Sequence, residues 1–160
     1  MDDAGRERIR AERVRLGAPT PGAGVHHVAL ICSDIERTID FYDGLLGFPL
    51  IEIFENRDHP GSSHLFFDIG GGNLLAFFDY PGHPHPALVE SLGGLQHLAL
   101  SMDEAHWVEA RTALEAAGIA YVGPDRGAHH SLYFRGPDGE GLELLRAPLR
   151  DMTGTEPAGS

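Results

Sequence analysis

The chain has 160 residues, of which 42% are hydrophobic and 22% charged, the balance of an ordinary globular protein with enough length for its own core. Its twelve cations, all arginine, face 24 Asp and Glu for a formal net charge of −12, which repels phosphate backbones and excludes general nucleic-acid binding. No run approaches the ~20 apolar residues of a membrane-spanning helix, so neither a nucleic acid nor a membrane is an expected partner.

The chain opens on Met1-Asp2-Asp3 without the apolar run of a secretory leader. The single cysteine, Cys32, has no partner for an internal disulfide and lies in an apolar run, as a small buried hydrophobe would. A cytoplasmic location is expected. Arg6, Arg8, Arg10, Arg13 and Arg15 alternate with Glu7 and Glu12, the pattern of a solvated helix, and a Gly/Pro-rich stretch follows. Residues 1–23 are therefore read as a charged helix and linker.

The body is built on an internal repeat. Gly24-Val25-His26-His27-Val28-Ala29-Leu30 reappears as Gly94-Leu95-Gln96-His97-Leu98-Ala99-Leu100, and Gly47-Phe48-Pro49-Leu50-Ile51 as Gly118-Ile119-Ala120-Tyr121-Val122. In the first copy, residues 25–32 read as a strand. A helix follows, capped by Ser33 or Asp34, with Ile35, Ile39, Tyr42 and Leu46 at helical spacing. Three strands come next, near 48–54, 64–69 and 74–79, the last preceded by the turn Gly70-Gly71-Gly72.

The second copy gives a strand over 95–102 and a helix from about Asp103 that carries Trp107, Ala110, Leu114 and Ala117 and stops at Gly118. Strands near 119–122, 131–135 and 142–146 complete it, with Gly136-Pro137-Asp138-Gly139 as the last turn. The expected fold is α+β: two βαβββ modules, 24–80 and 94–148, each with a mixed sheet. Residues 81–93 connect them, and 149–160 form a loose tail.

The repeat selects two of the ten histidines. His27 and His97 occupy equivalent positions on the first strand of each copy, beside small residues on the same face. Glu143, between Leu142 and Leu144, is a carboxylate that is costly to bury unless it is paired or bound to a metal. Two histidines and a carboxylate with open positions form the facial arrangement of Fe(II) oxygen chemistry, which also suits Mn or Zn. Against this stand the plain alternatives of strand histidines satisfied within a sheet and a solvent-facing edge glutamate. By alternation Phe54, Phe66, Phe67, Phe77 and Phe78 read mostly as core, and His83 and His85 as part of a solvated connector.

The tandem plan resembles the vicinal oxygen chelate superfamily, which includes glyoxalase I, extradiol dioxygenases, fosfomycin-resistance thiol transferases and bleomycin-binding proteins. The resemblance runs over residues 24–147. It rests on His27-Val28-Ala29-Leu30, Asp34, Phe41-Tyr42 and Leu46-Gly47-Phe48, then His97-Leu98-Ala99-Leu100 and Pro137-Asp138-Gly139 with Glu143.

The resemblance implies that the mixed sheets curl around a metal-containing cavity and that His27, His97 and Glu143 are the metal ligands. Aligning Leu75-Ala76-Phe77 with Leu142-Glu143-Leu144 puts Ala76 where glyoxalase I-like members carry a fourth ligand that doubles as a base. Tyr133, ten residues before Glu143, is similar to the extradiol signature tyrosine that hydrogen-bonds a substrate oxygen. The sequence departs from that signature at Gly136, where alanine or a polar residue is usual. It departs again at Pro124-Asp125-Arg126, where a histidine is usual.

His64, His129 and His130 are the candidate acid/base residues. The implied cofactor is one divalent ion, Fe(II) before Mn(II), Zn(II) or Ni(II). The implied partners are a small molecule such as an aromatic diol, dioxygen, and a second copy of the chain in a homodimer. The implied activity is extradiol-type ring cleavage. The alternatives are a non-redox lyase, epimerase or isomerase on the same ligands, or a non-catalytic drug- or metabolite-binding protein.

Overall fold

The computed structural model describes residues 1–12, 19–82, 84, 89–123 and 130–146. A charged helix, α1 (Asp3–Glu12), precedes the body. The first unit comprises β1 (His27–Cys32), α2 (Ile35–Ile39), β2 (Leu50–Glu55), β3 (Ser63–Asp68) and β4 (Leu74–Asp79). The second comprises β5 (Leu98–Ser101), α3 (Glu104–Ala116), β6 (Tyr121–Val122), β7 (Ser131–Arg135) and β8 (Gly141–Leu145).

The two four-stranded sheets have the same order, β1-β4-β3-β2 and β5-β8-β7-β6. In each, the first strand runs parallel to the last and the other pairings are antiparallel. This is the α+β architecture expected from the repeat. The strand expected over 95–102 is shorter than read, so His97 lies one residue before β5, and the strand expected over 119–122 narrows to Tyr121–Val122. His83, His85, His129 and the segment 149–160 lie outside the described residues. Among the described residues no helix is long and apolar enough to cross a membrane.

Alternation sorts each strand into two faces. Val28, Leu30 and Cys32 of β1 turn toward the helices with Leu65, Phe67, Leu75 and Phe77, while His27, Ala29 and Ile31 turn away. Burial pushes the Cys32 thiol up to about 11, so it is an inert core group. Leu132, Phe134, Leu142 and Leu144 repeat the inward pattern in the second unit, against Trp107 and Leu114 of α3. The inward faces share one continuous core.

The first helix departs from the regular helix that the spacing predicts. Asp34 caps α2 by accepting from the Arg37 N–H at 3.0 Å. From Asp40 to Leu45 the turn then widens into a π-helix, with the Leu46 N–H donating to the Phe41 carbonyl at 3.0 Å. The wide turn directs two consecutive aromatic rings inward. Phe41 reaches Phe134 of the second sheet, and Tyr42 packs between Phe67 and Phe77.

Tyr42 also fastens the two units. Its hydroxyl donates to Glu140 Oε1 at 2.6 Å, and Glu140 Oε2 accepts from the Asp138 N–H at 2.9 Å. Burial and the adjacent carboxylate hold the Tyr42 phenol protonated, far above its ordinary range. Asp138 adds an ion pair to Arg37 at 2.6 Å and accepts from the Ser33 N–H at 3.0 Å.

Asp103 caps α3, accepting from the His106 N–H at 3.0 Å and contacting His106 Nδ1 at 2.6 Å. The side-chain hydrogen bond, then the charge, raise the exposed His106 above its usual pKa, and the His106 backbone N–H, then its ring, lower Asp103. The His106 contribution is therefore complete below its unfolded value and lost as pH rises through the folded one. Replacing Asp103 by Asn keeps a cap but removes the charge. In an NMR titration, His106 is expected to titrate above the ordinary imidazole value of 6.5 in wild type and to fall toward it in Asp103→Asn.

Candidate metal centre

His97 and Glu143 meet on the outer face of the second sheet. Glu143, in the middle of β8, lies opposite Ala99 on the parallel side and Tyr133 on the antiparallel side. The small Ala99 leaves room for the imidazole one residue before β5. His97 Nε2 stands 3.0 Å from Glu143 Oε2, with the Glu143 side chain 9% exposed. Tyr133 is half-buried, its ring edge-on to His97 at 6.0 Å between centroids.

Gln96 determines what this contact means. Its Nε2 donates to Glu90 Oε1 at 3.2 Å, so its Oε1 is the atom that faces His97 Nδ1 and accepts from it. A neutral His97 with its proton on Nδ1 then aims the Nε2 lone pair at a carboxylate oxygen. Two acceptors in contact need a proton or a cation between them. Ligands bound at 2.0–2.2 Å in adjacent positions of one ion sit about 3 Å apart, which is the separation here. An outer hydrogen bond that fixes the tautomer of a ligating histidine is a usual support of metal sites.

His97 lines a cavity of about 560 Å³, with Gln96, Tyr133, Tyr121, Val122 and Arg135 also on its walls. That is within the size range of small-molecule sites.

The register makes the repeat explicit. Ala29, Ala76 and Phe66 lie side by side in the first sheet as Ala99, Glu143 and Tyr133 do in the second. Ala76, fully buried, thus occupies the position of Glu143, and the first sheet has no carboxylate there.

His27 stands on the outer face of the first sheet. Its Nδ1 lies 2.8 Å from His26 Nδ1, and its ring is edge-on to Phe66 at 5.9 Å. Among the described residues no group of three His, Cys, Asp or Glu side chains is gathered to hold a metal. The chain brings together His97 and Glu143 and holds His27 apart, on a different sheet.

His64 of β3 belongs to the His27 side. It stacks on Phe78 with centroids 3.7 Å apart and touches Phe66 and Phe54, and its buried Nε2 has no hydrogen-bond partner. Burial, then nearby His27, lower its pKa below the usual imidazole value. Phe54, Phe66 and Phe78, expected mostly in the core, instead lie on this outer face, because they fall in register with His64 and Ala76 and not with Leu65 and Phe77. Phe54 is 46% exposed and Ile31 54%, so the face is apolar and uncovered. His130, just before β7, is exposed and adopts a left-handed backbone with φ 46°.

Two polar residues at the site escape a reading of the sequence by residue type. Gln96 precedes His97 as His26 precedes His27, a parallel visible in the aligned repeat. Arg135 gives no such signal; it becomes visible only once the register puts it opposite Gly141 on the Tyr133 side of β7.

The chain is 28% identical over 125 residues to the putative ring-cleaving dioxygenase MhqO of Bacillus subtilis, covering 76% of this chain and 39% of that protein. It therefore spans about two fifths of that relative's length. It is also 28% identical over 134 residues to the lactoylglutathione lyase of Salmonella typhimurium, covering 76% of this chain and 90% of the lyase. A crystal structure of a putative dioxygenase from Bacillus subtilis superposes with a TM-score of 0.66 at 27% identity, over 76% of this chain and 40% of that one. The Glyoxalase/Bleomycin resistance protein/Dioxygenase superfamily model matches residues 24–144, and the chain belongs to that superfamily.

Proposed function

We propose that this chain is an Fe(II)-dependent ring-cleaving dioxygenase of the extradiol type, acting on a catechol-like small molecule as a homodimer. The observation that carries the reading is the 3.0 Å approach of His97 Nε2 to Glu143 Oε2, with Nδ1 already committed to Gln96. A third ligand is needed, and His27 supplies it from a second copy, whose exposed β1 face is apolar and suited to burial. A divalent iron held by these three residues supplies the Lewis-acid and redox chemistry of the reaction.

The remaining steps belong to the chain's own side chains. The Tyr133 hydroxyl, on the strand beside Glu143, orients one substrate oxygen by a hydrogen bond. His64, its basicity lowered by burial and then by nearby His27, is the acid/base candidate among Phe54, Phe66 and Phe78. His130 is the other described acid/base candidate. Once covered by the second copy, the three phenylalanines exclude water and flank an aromatic ring.

A non-redox lyase or isomerase on Mn(II), Zn(II) or Ni(II) is the second reading, favoured by the match over 90% of a lactoylglutathione lyase. It is weakened by Ala76, which leaves the second carboxylate of such a site absent.

The test is anaerobic loading with Fe(II), then catechol and air, following oxygen uptake and the absorbance of a ring-opened product. Equal consumption of oxygen and catechol is the expected result. Tyr133→Phe is expected to lower kcat about 10-fold or more with a smaller change in KM, below the ~100-fold typical of losing a full acid or base. Turnover under argon with Zn(II) or Mn(II), and none with Fe(II) and oxygen, would replace this reading by the second.

A further inference from the structure

We infer that the ligand of the cavity beside His97 carries a carboxylate and that Arg135 receives it. The inference rests on the reading above only in taking this cavity as the substrate site. Tyr133 and Arg135 are two apart on β7 and share the face that carries Glu143. Arg135 lies opposite Gly141, and a side chain at Gly141 would stand 3.1 Å from His97 Cβ and 2.6 Å from the Gln96 carbonyl oxygen. The glycine brings β8 close against the His97 segment, so that Arg135, Tyr133 and His97 line one cavity.

Charge gives the second argument. The chain has 24 carboxylates against twelve arginines, and five of the eight described arginines are answered. Arg6, Arg10, Arg37, Arg111 and Arg146 each pair with a carboxylate. Arg135 has no such partner among the described residues; it donates only to the Gly139 carbonyl, at 3.2 Å. Arg8, Arg57 and Arg135 are all exposed and without a carboxylate partner there, but of the three Arg135 is the one that lines the cavity beside His97. In so acidic a protein, an unpaired guanidinium on a cavity wall is a site for an anion the protein does not itself provide. The planar fork of a guanidinium matches a carboxylate with two parallel hydrogen bonds. One arginine among tyrosines suits a single carboxylate on an aromatic ring, and not a phosphate, which would call for more cations.

Ligand-observed fluorine NMR on the metal-free full chain tests this with 4-fluorobenzoate and its uncharged counterpart, 4-fluorobenzyl alcohol. The expected result is that the benzoate binds about tenfold tighter, as a charge-assisted bidentate contact allows. Arg135→Gln should bring the two affinities within about twofold, and Arg135→Lys should keep part of the preference. A merely structural role for Arg135 would weaken both probes alike. Equal affinities in wild type, a preference that survives Arg135→Gln, or no binding of either probe at millimolar concentration would overturn the inference. The wild-type comparison stands even if a variant misfolds. The probes lack the adjacent ring oxygens of a catechol and the protein is metal-free, so failure of the dioxygenase reading leaves this result untouched, and its own failure leaves that reading open.

Discussion

Equal amounts of His27→Ala and Glu143→Ala protein, mixed and allowed to exchange subunits, are expected to regain about a quarter of the wild-type Fe(II) sites, although each variant alone binds none tightly. In one protomer His97 and Glu143 are 3.0 Å apart, while no described trio of metal-ligating side chains includes His27. If the third ligand comes from a second copy, a twofold dimer has two sites, each drawing His27 from one subunit and the pair from the other. Random exchange makes about half the dimers mixed, and a mixed dimer has one site with all three ligands and one with a single ligand. If instead each site lay within one chain, every chain in the mixture would be defective and no site would return. Anaerobic titration of Fe(II) decides between these outcomes. Wild type is expected to take one ion per chain, and Glu143→Ala to lose more than about 100-fold in affinity, since outer-shell partners alone account for 10–100-fold. No tight ion in wild type would end the metal reading altogether.

The histidines of this candidate site are legible in the sequence because the repeat writes their position twice. His27 and His97 stand out of ten histidines only through the aligned repeat, and Glu143 only because a carboxylate between two leucines needs a reason. The structure adds a register in which Ala76 and Glu143 are equivalent and Phe66 matches Tyr133. It also separates what period-two patterns cannot. Phe66 and Phe67 are adjacent phenylalanines, yet one faces His27 and the other the core. Alternation shows that they differ, but not which face is inward, because both faces of this sheet are apolar. The π-helical turn at Asp40–Leu45 was likewise hidden. The inward positions Ile35, Ile39, Tyr42 and Leu46 fit an ordinary helix, and the wider turn arises from long-range partners, Phe134 and Glu140, that no local window contains.

Gly136→Ala is expected to destabilise the protein by about 3–5 kcal/mol, the usual effect of leaving a buried charge without its partner. A Cβ at Gly136 would stand 2.1 Å from Glu140 Oε1 and 2.4 Å from its Cδ, so the carboxylate must leave its place. Glu140 is 6% exposed, and its two oxygens are satisfied by the Tyr42 hydroxyl and the Asp138 N–H. Displacing it breaks both contacts and unfastens the joint between the units. This explains why glycine stands where alanine or a polar residue is usual in the extradiol signature: the space of its side chain is filled by Glu140. Tyr42→Phe removes one of the same contacts and should cost about 1.5–3 kcal/mol, the range for a hydrogen bond to a charged group. Because both changes act through one carboxylate, the double variant should be less destabilised than the sum of the two, by about 1 kcal/mol or more. Urea denaturation of the three variants measures this, and wild-type stability in Gly136→Ala would show that Glu140 is not held there. The joint carries the β7–β8 turn, flanked by the strands bearing Tyr133, Arg135 and Glu143. A loosened Glu140 should therefore also weaken Fe(II) binding at Glu143, and a Gly136→Ala protein that stayed folded with full metal affinity would separate the joint from the site.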